Sequence, residues 1–302
     1  MQKPKELRFS AAVLELALKV LILVAVGYIL ITRSIPTPDT VMLLVLLYVA
    51  ASGKGRAFIK DWWFFFLYFY LYNLVRGHAH LIQKPLGISI HETELLSIEK
   101  FIFHGQIPTL RMQKFADVVV HWWDYAAIIM YLSYFIFPLS VGTYIWLKEP
   151  KKYFLQFRNA YMVLCLLGLI TYILYPAAPP WMAAELGYLP HLTRNSWELV
   201  KVGQWTSNLF DSVGYNLVAP LPSLHVGWAF LSSIVTQQLL SRKGKPFWIA
   251  YLPYLYTIAM ILTVVYTGDH YIVDGLLGIV YALLALFIVD RVSIKQIQSL
   301  HH

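Results

Sequence analysis

Two short polar stretches of this sequence carry side chains capable of acid–base and nucleophilic chemistry. They are residues 222–225 (Pro-Ser-Leu-His) and residues 270–274 (His-Tyr-Ile-Val-Asp), and each lies where a polar loop passes into a long apolar run. Ser223 is a favourable N-cap for the run that ends near Leu240. We therefore expect His225 in the first turn of a helix, beside backbone N–H groups that have no intrahelical partner.

The second stretch places Asp274 four residues after His270, at the start of another apolar run. Side chains at i and i+4 share a helix face, so the carboxylate is expected within hydrogen-bonding reach of the imidazole. An unpaired carboxylate inside an apolar span costs roughly 2.5–3.5 kcal/mol on insertion. A histidine partner reduces that cost, and its own tautomer is fixed in return. The pair is typical of a catalytic site.

The chemistry that fits these residues is phosphoryl transfer. An imidazole oriented by a carboxylate is a competent nucleophile toward phosphorus, and a second imidazole can protonate the leaving oxygen. The transferred group needs positive charge and N–H donors around its equatorial oxygens, and the first turn after Ser223 offers donors. Basic residues expected on the same side can supply the charge: Arg76, Lys84, Arg111, Arg194 and Lys201. Nothing here requires a metal ion or another cofactor.

Composition places these residues in a membrane protein. The chain is 59% hydrophobic and 13% charged, against about 25% charged residues in soluble domains. The net charge of +8 suggests a nucleic acid partner at first sight. The basic residues are, however, spread among the loops between apolar runs, so membrane topology accounts for them better than nucleic acid does. The single cysteine, Cys165, excludes an intramolecular disulfide bond.

The sequence predicts an all-α fold, a single polytopic membrane domain over residues 1–302 with about eight transmembrane helices. Two spans lie within residues 1–56, and a six-helix core covers residues 57–290 with a long polar loop at 176–222, a length that usually indicates a functional loop. An amphipathic stretch near 92–103 is expected along the membrane surface. The predicted spans are residues 11–31, 40–51, 58–75, 117–147, 153–175, 223–240, 247–266 and 270–289.

The distribution of basic residues predicts the orientation. The connections around residues 54–60, 148–158 and 242–245 are dense in Lys and Arg, as expected of cytoplasmic loops. With eight spans, both termini are then cytoplasmic. His225 and His270 fall on the extracytoplasmic side.

The two motifs resemble those of the type 2 phosphatidic acid phosphatase superfamily, integral-membrane enzymes that hydrolyse or transfer lipid phosphates. The resemblance covers roughly residues 60–290. Within it, the stretch 175–181 (Tyr-Pro-Ala-Ala-Pro-Pro-Trp), the residue Leu224 and the His-Tyr-x-Val-Asp form of the second motif resemble the branch that contains fungal inositol phosphorylceramide synthase. The resemblance implies a lipid phosphatase or phosphotransferase that acts on a membrane phospholipid or lipid phosphate, with a lipid or a polyol as the possible acceptor. Transfer of an inositol phosphate group to a lipid acceptor is one specific possibility.

The resemblance also implies residue roles: His270 as the nucleophile that forms a phosphohistidine, Asp274 as its orienting carboxylate, and His225 as the general acid. Two features depart from the superfamily pattern. The arginine that usually precedes the second motif is replaced by Val264, and the usual Lys/Arg-Pro phosphate motif is absent in recognisable form. The phosphate ligands must therefore come from elsewhere, and Arg76 is the leading candidate.

Other candidate substrate-binding residues have structural alternatives. The predicted set is Arg76, Ser223, Trp181, Asp124 and His121. His121 and Asp124 form a second polar pair near the predicted pocket, but a His and an Asp at i, i+3 can also simply satisfy each other. The segment that contains Trp181 is either a pocket wall or a rigid extended connection.

Two other classes of function compete with a phosphohistidine enzyme. A zinc hydrolase can use His225, His270 and Asp274 as a three-ligand set, and a chelator would distinguish it. A transporter also needs intramembrane His and Asp, but such groups lie near the bilayer midplane. The sequence does not distinguish hydrolase from transferase, and it names neither the lipid nor a protein partner.

Overall fold

The computed structural model describes residues 55–115, 119, 121–193 and 216–299, with the backbone alone at 55–56 and 292–299. The spans predicted at 11–31 and 40–51, and loop residues 194–215 with Arg194 and Lys201, lie outside the described residues. The described chain belongs to two compact units, a small one that contains residues 55–68 and a large one that contains the rest. The predicted division into residues 1–56 and 57–290 stays a prediction.

Most of the described residues fold into α-helices, and no strand forms among them, which confirms the predicted all-α class. The helices are α1 (Gly55–Gly77), α2 (His80–Gln83), α3 (Glu94–Ile102), α4 (Pro108–Met112), α5 (Trp122–Lys148), α6 (Lys151–Leu174), α7 (Pro180–Glu185), α8 (Leu224–Arg242), α9 (Phe247–Tyr251), α10 (Pro253–Tyr266) and α11 (Ile272–Ser299). The extended pairing seen in the described residues is an isolated parallel bridge between His91 and Ala177.

Four stretches of the described helices are long and apolar enough to cross a membrane. They are Trp122–Lys148, Lys151–Leu174, Phe247–Tyr266 and Ile272–Arg291. The spans predicted at 58–75 and 223–240 correspond to helices α1 and α8. The protein is therefore an integral multi-pass membrane protein, and the predicted number of eight spans stays a prediction.

Helix boundaries follow local chemistry and correct one of the sequence-based limits. The span predicted at 247–266 agrees with the candidate span Phe247–Tyr266; Pro253 interrupts its hydrogen bonding, so that α9 and α10 meet at Leu252, which keeps helical dihedral angles. The last helix begins at Ile272 and not at His270. His270 therefore lies in the turn before the helix, and Asp274 lies in the first helical turn.

Helix α8 lies at the centre of the large unit and packs against α5, α6, α10 and α11. Its crossing with α11 is close because both helices carry glycine there. A Cβ added at Gly278 would overlap with the carbonyl oxygen of Ser223, and one at Gly227 would lie 3.1 Å from the Gly278 carbonyl oxygen. Small residues allow two membrane helices to approach closely. The close approach sets the start of α8 directly against the start of α11.

Candidate active site

Ser223 fixes the start of α8, as the sequence predicted. It is the N-cap residue, fully buried, and its hydroxyl accepts a hydrogen bond from the Val226 N–H at 3.5 Å. His225 is the second residue of the helix. The backbone N–H groups of Leu224 and His225 have no intrahelical partner, because the first turn of any helix leaves its N–H groups free. The site thus includes main-chain donors beside an imidazole.

The two histidines face each other. Nδ1 of His225 lies 3.2 Å from Nε2 of His270, and the ring planes are inclined by 65°. The other nitrogen of His270, Nδ1, lies 2.9 Å from the carbonyl oxygen of Pro220. A carbonyl oxygen only accepts hydrogen bonds, so Nδ1 of His270 carries the proton and donates it. Nε2 is left with a lone pair that points toward His225.

Asp274 is close to His270 but holds it less directly than its spacing suggested. Its Oδ2 atom lies 3.6 Å from Nδ1 of His270, which is an ion-pair distance and longer than a hydrogen bond. The same oxygen accepts the N–H of Tyr271 at 2.8 Å. Asp274 is fully buried, and its Oδ1 atom has no hydrogen-bond partner among the described residues. The carboxylate therefore caps its own helix and places negative charge behind the imidazole.

A second carboxylate, which the sequence did not indicate, supports the same turn. Glu99 on α3 is fully buried and accepts the N–H groups of Ile272 at 3.1 Å and Val273 at 3.2 Å. Burial raises the pKa of the Glu99 carboxyl above its ordinary value, and its two N–H donors oppose that shift. The signal in the sequence was a Glu on the same helix face as Leu95 and Leu96, which the structure buries.

Arg76, the leading candidate for phosphate charge, lies at the end of α1 within the large unit. Its guanidinium is close enough to His225 and Tyr172 to affect both electrostatically. Its main-chain carbonyl accepts a hydrogen bond from the Asn216 side chain at 3.0 Å. The structure thus brings one arginine toward His225, whereas the superfamily pattern would have supplied an arginine at position 264.

Position 264 itself belongs to the hydrophobic core. Val264 is fully buried in a cluster with Tyr131, Val226 and Met260. Its carbonyl oxygen accepts the N–H groups of Asp269 and His270, each at 3.1 Å. The residue therefore helps to fix the turn that carries His270 through its main chain, and its side chain offers nothing to a phosphate.

Aromatic side chains from α5 surround His225. The ring centroids of Tyr131 and Tyr134 lie 4.5 Å and 4.3 Å from that of His225. Tyr172 on α6 donates its hydroxyl proton to the carbonyl oxygen of Pro222 at 2.7 Å, which fixes the residue before the N-cap. Tyrosines on two neighbouring helices therefore hold the first motif in place, a function that sequence spacing alone did not indicate.

The His121–Asp124 pair begins α5. Asp124 accepts the N–H of His121 at 2.9 Å in a capping box, and its other oxygen accepts the hydroxyl proton of Tyr266 at 2.6 Å. Asp124 is 1% exposed, whereas the imidazole of His121 is stacked on Trp123. These contacts give Asp124 a structural role in joining α5 to α10, and its predicted substrate contact stays a prediction.

The segment that contains Trp181 packs against the turn before His270. The backbone N–H of Trp181 donates a hydrogen bond to the carbonyl oxygen of Gly268 at 3.0 Å. Gly268 has a positive φ of 75°, and a Cβ there would lie 3.1 Å from Leu192. The turn therefore requires glycine, and α7 covers it. This position is compatible with the predicted pocket wall.

The three predicted catalytic residues are poorly arranged for a common metal ion. His225 faces Nε2 of His270, whereas Asp274 lies on the Nδ1 side of the same ring. Among the described residues, no group of three His, Cys, Asp or Glu side chains is placed to hold a metal. The polar atoms that do converge are two ring nitrogens and the start of α8, an arrangement that suits an oxyanion better.

Comparison with known proteins agrees with this geometry. The model of the PAP2 superfamily matches residues 94–288, which is well over half of the chain. The matched region contains both motifs and Glu99. The chain belongs to the PAP2 superfamily. This membership confirms the resemblance stated from the motifs and supports the prediction of a PAP2-like hydrolase or phosphotransferase.

The chain is also similar to sphingolipid synthases. It is 30% identical over 203 residues to a phosphoinositol dihydroceramide synthase of Bacteroides thetaiotaomicron, covering 63% of this chain and 64% of that protein. It is 27% identical over 186 residues to an inositol phosphorylceramide synthase of Candida albicans, covering 59% of this chain and 36% of that protein.

A third relative is the catalytic subunit of the Schizosaccharomyces pombe inositol phosphorylceramide synthase, 21% identical over 169 residues, covering 54% of this chain and 39% of that protein. The chain thus spans less than two thirds of the length of the curated relatives it matches. No solved structure matches it significantly.

Proposed function

We propose that the protein transfers the phosphoryl-linked head group of a membrane phospholipid or lipid phosphate through a covalent intermediate on His270. The observation that carries this proposal is the state of the Nε2 atom of His270. It keeps its lone pair because Nδ1 donates to Pro220, and it faces a second imidazole at 3.2 Å. Phosphoryl transfer to a histidine requires a nucleophile and a proton donor close to each other, and the two imidazoles meet this requirement.

The first step forms the phosphoenzyme. The lone pair of Nε2 on His270 attacks phosphorus, and the bond from phosphorus to the leaving oxygen breaks. Protonated His225 gives its proton to that oxygen, so the lipid leaves as an alcohol. Positive charge develops on the imidazole of His270 during the attack, and the Asp274 carboxylate 3.6 Å from its Nδ1 atom stabilises this charge.

The second step regenerates the enzyme. His225, now neutral, accepts a proton from the hydroxyl group of water or of an alcohol, and the oxygen of that hydroxyl attacks phosphorus. The bond between phosphorus and Nε2 then breaks, and His270 recovers its lone pair. Water as the acceptor gives hydrolysis, and an alcohol gives transfer. The same residues serve both outcomes, because only the attacking oxygen differs.

The transferred group carries negative charge on its equatorial oxygens, which need donors and cations. The free N–H groups at the start of α8 are the nearest main-chain donors to His225, and a helix N-terminus favours an anion. Arg76 adds a full positive charge close enough to influence His225. These two elements replace the superfamily arginine that Val264 displaces.

The relatives indicate the substrate class within this proposal. Their names describe the synthesis of phosphoinositol dihydroceramide and inositol phosphorylceramide. An inositol phosphate group as the transferred unit and a ceramide-like alcohol as the acceptor are therefore the specific candidates. With the predicted topology, the reaction takes place at the extracytoplasmic face, and both termini are cytoplasmic.

The experiment that tests the proposal uses purified full-length protein in lipid vesicles. The vesicles contain a panel of phospholipids and lipid phosphates, with and without a ceramide-like alcohol, and mass spectrometry identifies the products. We expect an inositol phosphate group on the ceramide-like acceptor and none with the His270→Ala variant. Free phosphate or a released head group without acceptor dependence would identify a hydrolase. Products that His270→Ala forms at the wild-type rate would overturn the proposed chemistry.

A further inference from the structure

Glu99 is a buried carboxylate that the two reaction steps do not use. It lies on α3, a short helix outside the four candidate membrane spans, and is 0% exposed. Its two oxygens accept the N–H groups of Ile272 and Val273. These are the two residues between Tyr271 and Asp274, so Glu99 binds the main chain that joins the nucleophilic histidine to its carboxylate.

Carboxylate oxygens accept the backbone N–H groups at the start of α11. Asp274 accepts the N–H of Tyr271, and Glu99 accepts the next two N–H groups along the chain. Three consecutive free N–H groups at a helix start would otherwise form a favourable site for an anion. With carboxylates on all three, the phosphate oxygens are directed to the start of α8, where the acceptor among the described residues is the Ser223 hydroxyl, an uncharged group.

The packing of helix α3 holds Glu99 in place. Leu95 and Leu96, on the same face, are buried in a cluster with Tyr271 and Val273, the residues on either side of Ile272. The segment before α3 is bonded to the segment before α7, because the His91 N–H donates to Pro176 and the Ala178 N–H donates to His91, each at 2.9 Å. A side chain fixed on both sides in this way can position a catalytic group precisely enough to matter for rate.

We propose that Glu99 is a positioning residue for the His270–Asp274 pair, which it holds in register by bonding the main chain between them. This assignment rests on the proposed function, because it presumes that the pair carries the chemistry. The two hydrogen bonds of Glu99 go to main-chain N–H groups, so it acts on the reacting groups through the turn that carries them. Its loss should therefore lower kcat with little change in KM.

The test compares Glu99→Gln with Glu94→Gln on the same helix, whose carboxylate bonds the His91 side chain at 2.9 Å. Glutamine is nearly isosteric with glutamate but offers one acceptor for two N–H groups. A displacement of about 1 Å at a catalytic group costs on the order of 10²-fold in rate. We expect Glu99→Gln to lower kcat by about 10-fold or more with KM within about twofold, and Glu94→Gln to leave both unchanged.

Two further measurements distinguish a positioning role of Glu99 from an effect on the overall stability of the protein. In an Asp274→Asn background, Glu99→Gln should lower kcat by much less, because residues that act as a unit are not additive. Hydrogen–deuterium exchange of the peptide containing residues 270–275 should be faster in Glu99→Gln and unchanged in Glu94→Gln. Glu99→Asp keeps both carboxylate oxygens on a side chain that is one methylene shorter. It is measured as a second variant in case Glu99→Gln folds poorly.

Unchanged exchange at 270–275 in both Glu99 variants would overturn the assignment, whatever the activity. An equal loss of kcat in the wild-type and Asp274→Asn backgrounds would also overturn it, as would a rise in KM alone. If the wild-type protein transfers no phosphoryl group from any lipid tested, the proposed function has failed. The exchange measurement then still decides whether Glu99 holds this turn.

Discussion

His270 donates its Nδ1 proton to the main-chain carbonyl of Pro220, at 2.9 Å, and not to the carboxylate that its spacing in the sequence indicated. The carbonyl belongs to the segment that leads into the first motif, so the tautomer of the second motif is set by the backbone of the first. A carbonyl fixes a tautomer without adding charge. This separates two functions that the Asp274 carboxylate was predicted to combine.

The first prediction concerns Asp274→Asn. In a triad where the carboxylate alone fixes the tautomer, the same exchange costs about 10⁴-fold in kcat. Here Pro220 keeps Nδ1 protonated, so only the charge is lost, and we expect a decrease on the order of 10²-fold, the scale for removing one transition-state stabiliser. Steady-state kinetics of the purified variant measures this. A loss as complete as that of His270→Ala would show that the carbonyl does not hold the tautomer.

Residue types and short spacing predict the local features: the N-cap at Ser223, the position of His225 in the first turn and the helical class. They do not indicate the roles of Glu99 and Pro220, because the partners of these residues lie 173 and 50 residues away along the chain. A carbonyl group is present at every residue, so no pattern of side chains distinguishes the one that accepts from an imidazole.

The glycine crossing of α8 and α11 gives the second prediction. A Cβ at Gly278 would overlap with the carbonyl oxygen of Ser223, which is backbone and cannot rotate away. We expect Gly278→Ala to lower the free energy of unfolding by about 1–3 kcal/mol and to reduce activity by displacing His225.

Gly275→Ala, one turn earlier on α11, is the matched control. Its Cβ would meet the Val226 side chain at 3.4 Å and the Ile261 side chain at 3.7 Å, both ordinary contacts. Thermal unfolding in detergent and kcat should both stay close to wild type in this variant. Equal behaviour of the two variants would contradict the crossing described here.

The third prediction concerns Arg76. Because Val264 cannot bind phosphate, Arg76→Ala should lower kcat on the order of 10²-fold. Arg76→Lys keeps the charge but loses the planar fork, so its activity should be intermediate. Arg242→Ala is the control, since Arg242 packs on Tyr153 at the other end of α8, roughly 25 Å along the helix from His225. Wild-type kinetics in folded Arg76→Ala protein would exclude Arg76 from the site.

The fourth prediction concerns topology. Cysteine is introduced at Lys151 or at Ser196 in a Cys165→Ala background, and intact cells are treated with an impermeant thiol reagent. Ser196 lies outside the described residues but within the long predicted outer loop. We expect labelling at position 196 and none at 151 until the membrane is permeabilised, because basic connections face the cytoplasm. The reverse pattern would place the site on the cytoplasmic side.

The last prediction separates the two histidines by leaving group. His270→Ala should abolish turnover with every substrate, because no phosphoenzyme forms without the nucleophile. His225→Ala should lose at least about 10²-fold with a lipid substrate, whose alkoxide must be protonated as it leaves. The leaving group of an aryl phosphate needs little protonation, so His225→Ala should recover much of the rate of the first step with that substrate, measured as a burst of released aryl alcohol.

The same variants test the intermediate directly. A labelled phosphoryl donor, quenched during turnover, should leave an acid-labile and base-stable adduct on His270, as expected of a phosphoramidate. The adduct should accumulate in His225→Ala treated with an aryl phosphate, because the second step still needs His225 to take a proton from the incoming hydroxyl. Label on a serine or a carboxylate, or loss of wild-type activity with a chelator and its return with zinc, would show that the nucleophile is not His270.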